Sequence, residues 1–140
     1  SLFISTSRRT NKEVIEFLDN QARADFLFIK DIFHPSNTRE KANPLSDYLH
    51  NSAEVIVTGD SMSMISELCS IGKPVRIFYD NSFCSKKHIL FCKKMIEEGY
   101  AFSLDTLGKK CDRIKILNTS KQVADKIKDE LLSKSERNLY

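Results

Sequence analysis

Short apolar runs alternate with amphipathic stretches along the chain, and this pattern predicts strands that alternate with helices. The apolar runs predict strands at residues 2–5, 26–29, 54–58 and 74–79. The first run shows no alternation of apolar and polar positions, which is typical of a strand buried on both faces. The third run, EVIVT, carries the β-branched residues that favour a sheet.

Capping residues predict where the helices begin. Thr10 and Glu13 have the spacing of a capping box ahead of the first helix. Asn43 and Pro44 predict the start of a short helix that extends through Leu49. Further helices are predicted at 61–70, at 86–98 with an apolar face of Ile89, Leu90, Met95 and Ile96, and at 119–132. Two more short strands are predicted near 100–103 and 114–117, and the polar end at 133–140 is expected to fray.

Strands and helices that alternate at this spacing indicate right-handed βαβ crossovers. We therefore expect a Rossmann-like α/β fold with a parallel sheet and helices on both faces. No linker or repeat divides the sequence, which predicts a single domain over residues 1–132. Ligands of such sheets bind at the carboxyl ends of the strands, so function is expected in the loops at 5–10, 30–43 and 58–63.

Composition narrows the class of protein. The 140 residues are 41% hydrophobic and 29% charged, and 22 basic against 19 acidic residues give a net charge of +3. This small excess does not indicate a nucleic-acid partner. No apolar run approaches the roughly 20 residues that span a membrane, and the opening is unlike a secretory signal. A cytoplasmic protein with four reduced cysteines is predicted.

Two loops offer phosphate-binding chemistry without a GxGxxG or P-loop motif. In the loop at 5–10, Ser7, Arg8 and Arg9 precede a helix and are suited to an anion, although capping hydroxyls and solvated arginines explain the pattern equally well. In the loop at 58–63, Gly59 would allow a tight turn, and the amides of residues 61–63 would face a diphosphate.

Glu67 follows this second loop by one to two helical turns, where its carboxylate could accept hydrogen bonds from two ribose hydroxyls. The alternative is that Asp60 or Ser61 caps the helix and Glu67 is a surface residue. No metal site is expected, because Cys84 and Cys92 would lie about 12 Å apart on a helix, too far for one ion.

Several segments resemble the mitochondrial-fission ELM family, whose bacterial members are often described as nucleoside-diphosphate-sugar epimerase-like. The segment VTGDSMSMISELCSIGKPVRIF at 57–78 resembles the signature of that family, and STSRRT at 5–10 resembles the start of its second half. FCKKMIEEGYAF at 91–102 and ILNTSKQVADKI at 116–127 follow in the order of the family. The sequence departs from the family pattern at three positions. Leu45 stands where an aromatic residue is usual, Gly59 where a small residue other than glycine is usual, and Cys92 where a histidine is expected.

The resemblance implies the carboxy-terminal half of a GT-B glycosyltransferase-like fold, which holds a nucleotide sugar. It implies phosphate contacts from Ser61, Met62 and Ser63, and a ribose contact from Glu67. Asp60, in the same loop, is a further candidate for the phosphate contacts. The base would lie against the segment 30–36, where Ile32 and Phe33 offer apolar surface.

The resemblance also bears on partners and activity. The whole protein would be a glycosyltransferase or an epimerase-like enzyme, and this half alone would be inactive without its amino-terminal half. The nucleotide sugar would be a substrate or ligand, and no cofactor is expected. Apolar surface left uncovered could lead to a homo-oligomer. The alternative is a non-catalytic scaffold that recruits a partner protein.

Overall fold

The computed structural model describes residues 1–24, 28–35, 42–111 and 114–137. These residues form two compact units, which we call the amino-terminal unit (Ser1–Ser52) and the carboxy-terminal unit (Ala53–Tyr140). Each unit contains its own parallel strands, two in the first and three in the second. The prediction of an α/β fold with parallel strands is confirmed, and the described strands form two small sheets where the sequence predicted one.

The amino-terminal unit is a βαβ unit followed by a short helix. Its elements are β1 (Leu2–Ser5), α1 (Lys12–Arg23), β2 (Ile29–Phe33) and α2 (Leu45–Asn51). The strands are parallel, with Leu2 opposite Ile29 and Ser5 opposite Phe33. Their carboxyl ends therefore meet at one edge of this sheet, where Thr6 and His34 follow the two strands.

Tyr48 of α2 is the main aromatic anchor of this unit. Its ring stacks on Phe3 of β1 with the ring centroids 5.0 Å apart, and its hydroxyl donates to Asp31 of β2 at 2.6 Å. Burial, followed by this hydrogen bond, raises the pKa of Tyr48 well above its usual range. The contacts hold α2 against both strands.

Several predictions for this unit were wrong in detail. β1 is not buried on both faces, since Leu2 is 40% exposed. The cap of α1 is Asn11, whose side chain accepts from the amide of Glu13, because the Thr10 hydroxyl instead accepts from the amide of Ser7. The second strand lies later than predicted, and residues 26 and 27 of that prediction fall outside the described residues.

The helix predicted from Asn43 and Pro44 begins one residue later than expected. Pro44 is the N-cap of α2, and the Asn43 side chain accepts from the amide of Leu45. The helix extends to Asn51, two residues beyond the predicted end. The asparagine thus performs the capping that the sequence indicated, from one position earlier.

The carboxy-terminal unit contains the remaining elements. These are β3 (Val55–Thr58), α3 (Met62–Cys69), β4 (Val75–Phe78), α4 (Lys86–Glu97), β5 (Phe102–Ser103), a single 3₁₀ turn (Leu104–Thr106) and α5 (Thr119–Arg137). The sheet is parallel in the order β3-β4-β5, with Thr58 opposite Phe78. The order matches two successive βαβ crossovers, as the alternating pattern predicted.

The core of this unit consists of apolar side chains from α3, β4 and α4. Its most buried members are Ile65, Leu68, Cys69, Val75, Ile77, Cys92 and Met95. The apolar face predicted for α4 was wrong in part, because Leu90 is 68% exposed while Cys92 is fully buried. Cys92 and Met95 are three residues apart and so lie on one face of the helix.

Arg76 of β4 is a buried charge, only 1% exposed. Its guanidinium forms an ion pair with Glu54, donates to the hydroxyl of Thr106 and donates to the carbonyl of Lys109 at 2.8 Å. A buried cation requires such partners. Arg76 therefore binds the segment that follows β5, through Thr106 and Lys109, to strand β4.

Two predictions near the end of the chain need correction. Residues 114–117 form no strand, and the amide of Leu117 donates instead to the carbonyl of Cys69 at the end of α3. The last helix continues to Arg137 rather than ending at residue 132. Among the described residues, no helix is long and apolar enough to cross a membrane.

Candidate functional site

The amino terminus of α3 lies directly after the carboxyl end of β3, where parallel sheets bind ligands. Ser61 is the N-cap of α3, but its side chain makes no capping hydrogen bond. The first helical hydrogen bond runs from the amide of Ile65 to the carbonyl of Ser61. The preceding amides of the first turn, from Met62 to Met64, are therefore open at this end.

The hydroxyl groups of Ser61 and Ser63 lie at the same open terminus, 3.4 Å from each other. Ser63 is exposed and Ser61 and Met62 are half-buried. Hydroxyls and free amides are hydrogen-bond donors, and the helix dipole adds positive potential, so the terminus is suited to an anion. We call residues 59–63 the α3 loop.

Asp60 is the residue of the α3 loop that does not fit an anion by itself. It is exposed, and an ionised carboxylate accepts hydrogen bonds but donates none. It could accept from a hydroxyl or amino group of a ligand, whereas it would repel a phosphate oxygen. The predicted contact between Asp60 and phosphate stays a prediction, and its chemistry favours another part of the ligand.

Gly59 is required by close packing. A methyl group at Gly59 would lie 2.6 Å from Cβ of Tyr79, 3.0 Å from Sγ of Cys92 and 3.2 Å from Sγ of Cys84. Its φ angle is not in the left-handed region, which Gly72, Gly99 and Gly108 occupy. The turn predicted at Gly59 is present at residues 59 and 60. The structure adds a further reason for glycine at this position, because close packing against Tyr79, Cys84 and Cys92 excludes a side chain.

Glu67 lies five residues into α3, about 7.5 Å along the helix axis from Met62. Its exposed side chain lines an open groove of about 470 Å³ whose other walls are Ser66, Ser70 and residues 116–120. Glu67 forms no ion pair among the described residues, so its carboxylate is available to hydroxyl donors. A ribose contact from Glu67 stays a prediction.

Ser7, Arg8 and Arg9 belong to the amino-terminal unit, and their loop is largely closed by its own hydrogen bonds. The Ser7 hydroxyl accepts from the amide of Arg9 at 3.1 Å, and the Ser7 amide donates to the hydroxyl of Thr10. The side chain of Asn11 already caps α1. Any anion at this loop would therefore be bound by the exposed guanidinium groups of Arg8 and Arg9 rather than by the helix terminus.

Ile32 and Phe33 lie in β2 and not in the loop that the sequence predicted. Phe33 is 9% exposed and Ile32 is half-buried. Phe33 has little surface to offer a nucleotide base in this unit. Residues 36–41, which complete the predicted loop, lie outside the described residues.

His34 is a polar residue whose importance the sequence did not show. It is 8% exposed and lies between the hydroxyl of Thr6 and the carboxylate of Asp19, at 2.9 and 3.1 Å. Position in the sequence gives only part of the signal. Thr6 directly follows the strand predicted at 2–5, but His34 lies five positions after the strand predicted at 26–29 and directly follows only the observed β2. The two residues are 28 positions apart in the sequence, so the sequence pattern gives no indication of the contact.

Comparisons with known proteins identify what the chain is similar to. Residues 1–131 match the protein family described as Mitochondrial fission ELM1. The chain is also 38% identical over 128 residues to RP120, an uncharacterized protein of Rickettsia prowazekii (strain Madrid E). This match covers 90% of the chain and 35% of the length of the relative. No solved structure matches the chain significantly.

Proposed function

The chain belongs to the mitochondrial fission ELM1 family, and on that premise we propose that its carboxy-terminal unit binds the diphosphate of a nucleotide sugar. The observation that carries the proposal is the open amino terminus of α3 at the carboxyl end of β3. A capped helix terminus has its donors occupied, whereas this one has them available to a ligand.

The phosphate oxygens would accept hydrogen bonds from the amides of Met62 and Ser63 and from the hydroxyls of Ser61 and Ser63. Gly59 supports this arrangement because it has no side chain, which lets the backbone of the α3 loop pack closely against Tyr79 and Cys92. The amide of Gly59 donates to the carbonyl of Phe78 at 2.7 Å, which ties the loop to β4. The donors are thus held on a rigid edge of the sheet.

Glu67 would accept hydrogen bonds from the two ribose hydroxyls. Its carboxylate borders a groove that is also lined by the polar residues Asn118, Thr119 and Ser120. A carboxylate is suited to accept hydrogen bonds from two neighbouring hydroxyl groups. Glu67 lies farther along α3 than the groups that would bind phosphate, so it would contact a different part of the ligand. The support for this assignment is the absence of an ion pair at Glu67 among the described residues.

The amino-terminal unit would contribute separate contacts. Arg8 and Arg9 are exposed and form no ion pair among the described residues, so they are available to an anion. Ile32 of the same unit has a half-buried apolar side chain, and its contact with a base stays a prediction. On this proposal the carboxy-terminal unit binds a donor nucleotide, and catalysis in a longer relative would need groups from elsewhere in that protein.

Titration calorimetry with UDP, GDP, ADP, CMP and their common sugar conjugates tests the proposal. One diphosphate class is expected to bind, and Glu67→Gln should weaken its binding by about tenfold through loss of a charged acceptor. Glu97→Gln on α4 is the matched control, since it removes an exposed carboxylate on another helix and should leave the affinity unchanged. Equal affinity in the Glu67 variant and the unmodified protein would contradict the ribose assignment.

A protein-interaction scaffold is the second candidate function. Val123 and Ile127 are 53% and 54% exposed and lie one turn apart on α5. Apolar residues at that spacing form a stripe that a partner protein could cover. A ligand that binds only the folded state raises its stability, so a thermal shift with a nucleotide favours the first function. No shift with any nucleotide is the result expected of the scaffold, and also of a donor site that needs groups from a longer protein.

A further inference from the structure

Three polar side chains of the amino-terminal unit converge at the carboxyl edge of β1 and β2. Thr6 follows β1, His34 follows β2 and Asp19 lies in α1. The hydroxyl of Thr6 is 2.9 Å from Nδ1 of His34, and Nε2 of His34 is 3.1 Å from a carboxylate oxygen of Asp19. We call these three residues the Thr6 triad.

Hydrogen-bond donors and acceptors determine where the protons lie in the Thr6 triad. A carboxylate only accepts, so Nε2 of His34 must carry the proton that bonds to Asp19. In a neutral imidazole Nδ1 is then an acceptor, and the Thr6 hydroxyl donates to it. The alternative acceptor, the carbonyl of Phe33, is farther at 3.3 Å and already accepts from the Thr6 amide at 3.0 Å.

This arrangement has the geometry of an activated nucleophile. The hydroxyl is bonded to a base, and the base is oriented by a third group. His34 is nearly buried, whereas Thr6 is half-buried and retains a surface that a ligand can reach. Arg8 and Arg9 follow in the same loop with exposed guanidinium groups, which favour an anionic substrate.

We propose that Thr6 is a nucleophile toward phosphoryl groups, activated by His34 and positioned through Asp19. In the step, the Thr6 oxygen forms a bond to phosphorus, and the bond from phosphorus to the leaving group breaks. The leaving group takes the electron pair, and the hydroxyl proton passes to Nδ1 of His34. The resulting imidazolium donates to both Thr6 and Asp19. Thr6 and His34 touch the reacting atoms or the transferred proton, and Asp19 acts through His34.

Diisopropyl fluorophosphate tests the proposal on the whole chain, because it needs no knowledge of the natural substrate. Attack by Thr6 would release fluoride and leave a diisopropylphosphoryl group on the peptide that contains Thr6, which mass spectrometry detects. His34→Gln should slow this labelling by roughly a hundredfold or more, the range of general-base catalysis. Asp19→Asn should slow it less, and Thr6→Ser should still be labelled because it keeps the hydroxyl.

The chain contains its own matched control. Nδ1 of His88 is 2.8 Å from the hydroxyl of Ser85, but no carboxylate of the described residues is bonded to the His88 ring. Ser85 should therefore remain unlabelled, and His88→Gln should leave the labelling of Thr6 unchanged. Absence of label on Thr6 in the unmodified protein, or equal labelling in His34→Gln, would overturn the proposal. Neither result depends on nucleotide binding at the α3 loop, so the two proposals fail independently.

Discussion

Single residues decide how closely the α3 loop can approach its neighbours, and Gly59 is the clearest case. Gly59→Ala is expected to lower the free energy of unfolding by about 1–3 kcal/mol, because the new methyl would lie 2.6 Å from Cβ of Tyr79. That atom is next to the backbone and cannot rotate away. Urea denaturation followed by circular dichroism measures the change.

Gly108→Asn is the control for this prediction. Gly108 has a φ of 84°, no atom of the described residues lies within 4 Å of the place that its Cβ would take, and asparagine tolerates that conformation. The control should cost little stability. If the two variants unfold at the same urea concentration, close packing is not the reason for glycine at position 59.

At the same scale, the sequence predicted part of the candidate site and missed another part. Ser61 and Ser63 could be chosen from the sequence because a hydroxyl-rich turn after a confident strand suits a phosphate, and Glu67 because it follows in the same helix. The contacts of all three with a ligand stay predictions. His34 could not be chosen in this way, because its partners come from two other elements. The sequence also did not show that the polar groups around Ser7 bond to one another, because these hydrogen bonds depend on the conformation of the turn rather than on residue type.

At the scale of elements, the amino termini of α1 and α3 can be compared directly, because one has a side-chain cap and the other does not. Asn11 caps α1 through its side chain, whereas Ser61 makes no such bond at α3. Asn11→Ala should therefore lower stability by about 1 kcal/mol, and Ser61→Ala should change it by only a few tenths. Thermal unfolding of both variants measures the difference.

The second half of this prediction concerns the ligand. If the Ser61 hydroxyl is reserved for phosphate, Ser61→Ala should weaken the binding of the nucleoside diphosphate while Asn11→Ala should not. A marked loss of stability in Ser61→Ala would show that the serine caps α3 in solution. The open terminus would then no longer support the proposed function.

Helices and strands were predicted correctly where the apolar pattern and the residues that end an element indicated the same boundaries. β3, α3, β4 and α4 were found within two residues, because β-branched runs and the stop signals Gly72 and Gly99 mark their ends. β2 was displaced because the charged residues Lys30 and Asp31 interrupt its apolar run, although Asp31 serves there as the acceptor of Tyr48. Residues 114–117 looked like a strand because apolar residues also suit an extended segment packed beside α3.

At the scale of the whole molecule, each compact unit carries one candidate site on its own parallel strands. The α3 loop belongs to the carboxy-terminal unit, and the Thr6 triad belongs to the amino-terminal unit. Because the chain spans 35% of the length of its curated relative, either site could act together with groups that a longer protein supplies. The two sites can be tested separately, since the variants of each site lie in different units.

The pH dependence of stability is the last prediction, and it rests on buried thiols in the carboxy-terminal unit. Burial raises the pKa of Cys69 from 9.0 to about 11, and burial followed by the nearby Cys84 raises that of Cys92 to about 11. In the unfolded chain these thiols ionise first, so the unfolded state holds fewer protons than the folded state above pH 9. Their contribution to stability is therefore fully present below pH 9 and is lost as the pH rises toward and through 11.

Urea denaturation under reducing conditions between pH 8 and 10.5 is expected to show a fall in the free energy of unfolding on the order of 2 kcal/mol. Cys92→Ala removes one of the two thiols, and its stability should fall less steeply over the same range even if it starts lower. Cys111→Ala removes a half-buried thiol and is the control for the loss of a cysteine. If the free energy of unfolding falls equally steeply with pH in all three proteins, the buried thiols do not cause the loss of stability at high pH. The loss would then come from groups that the variants share.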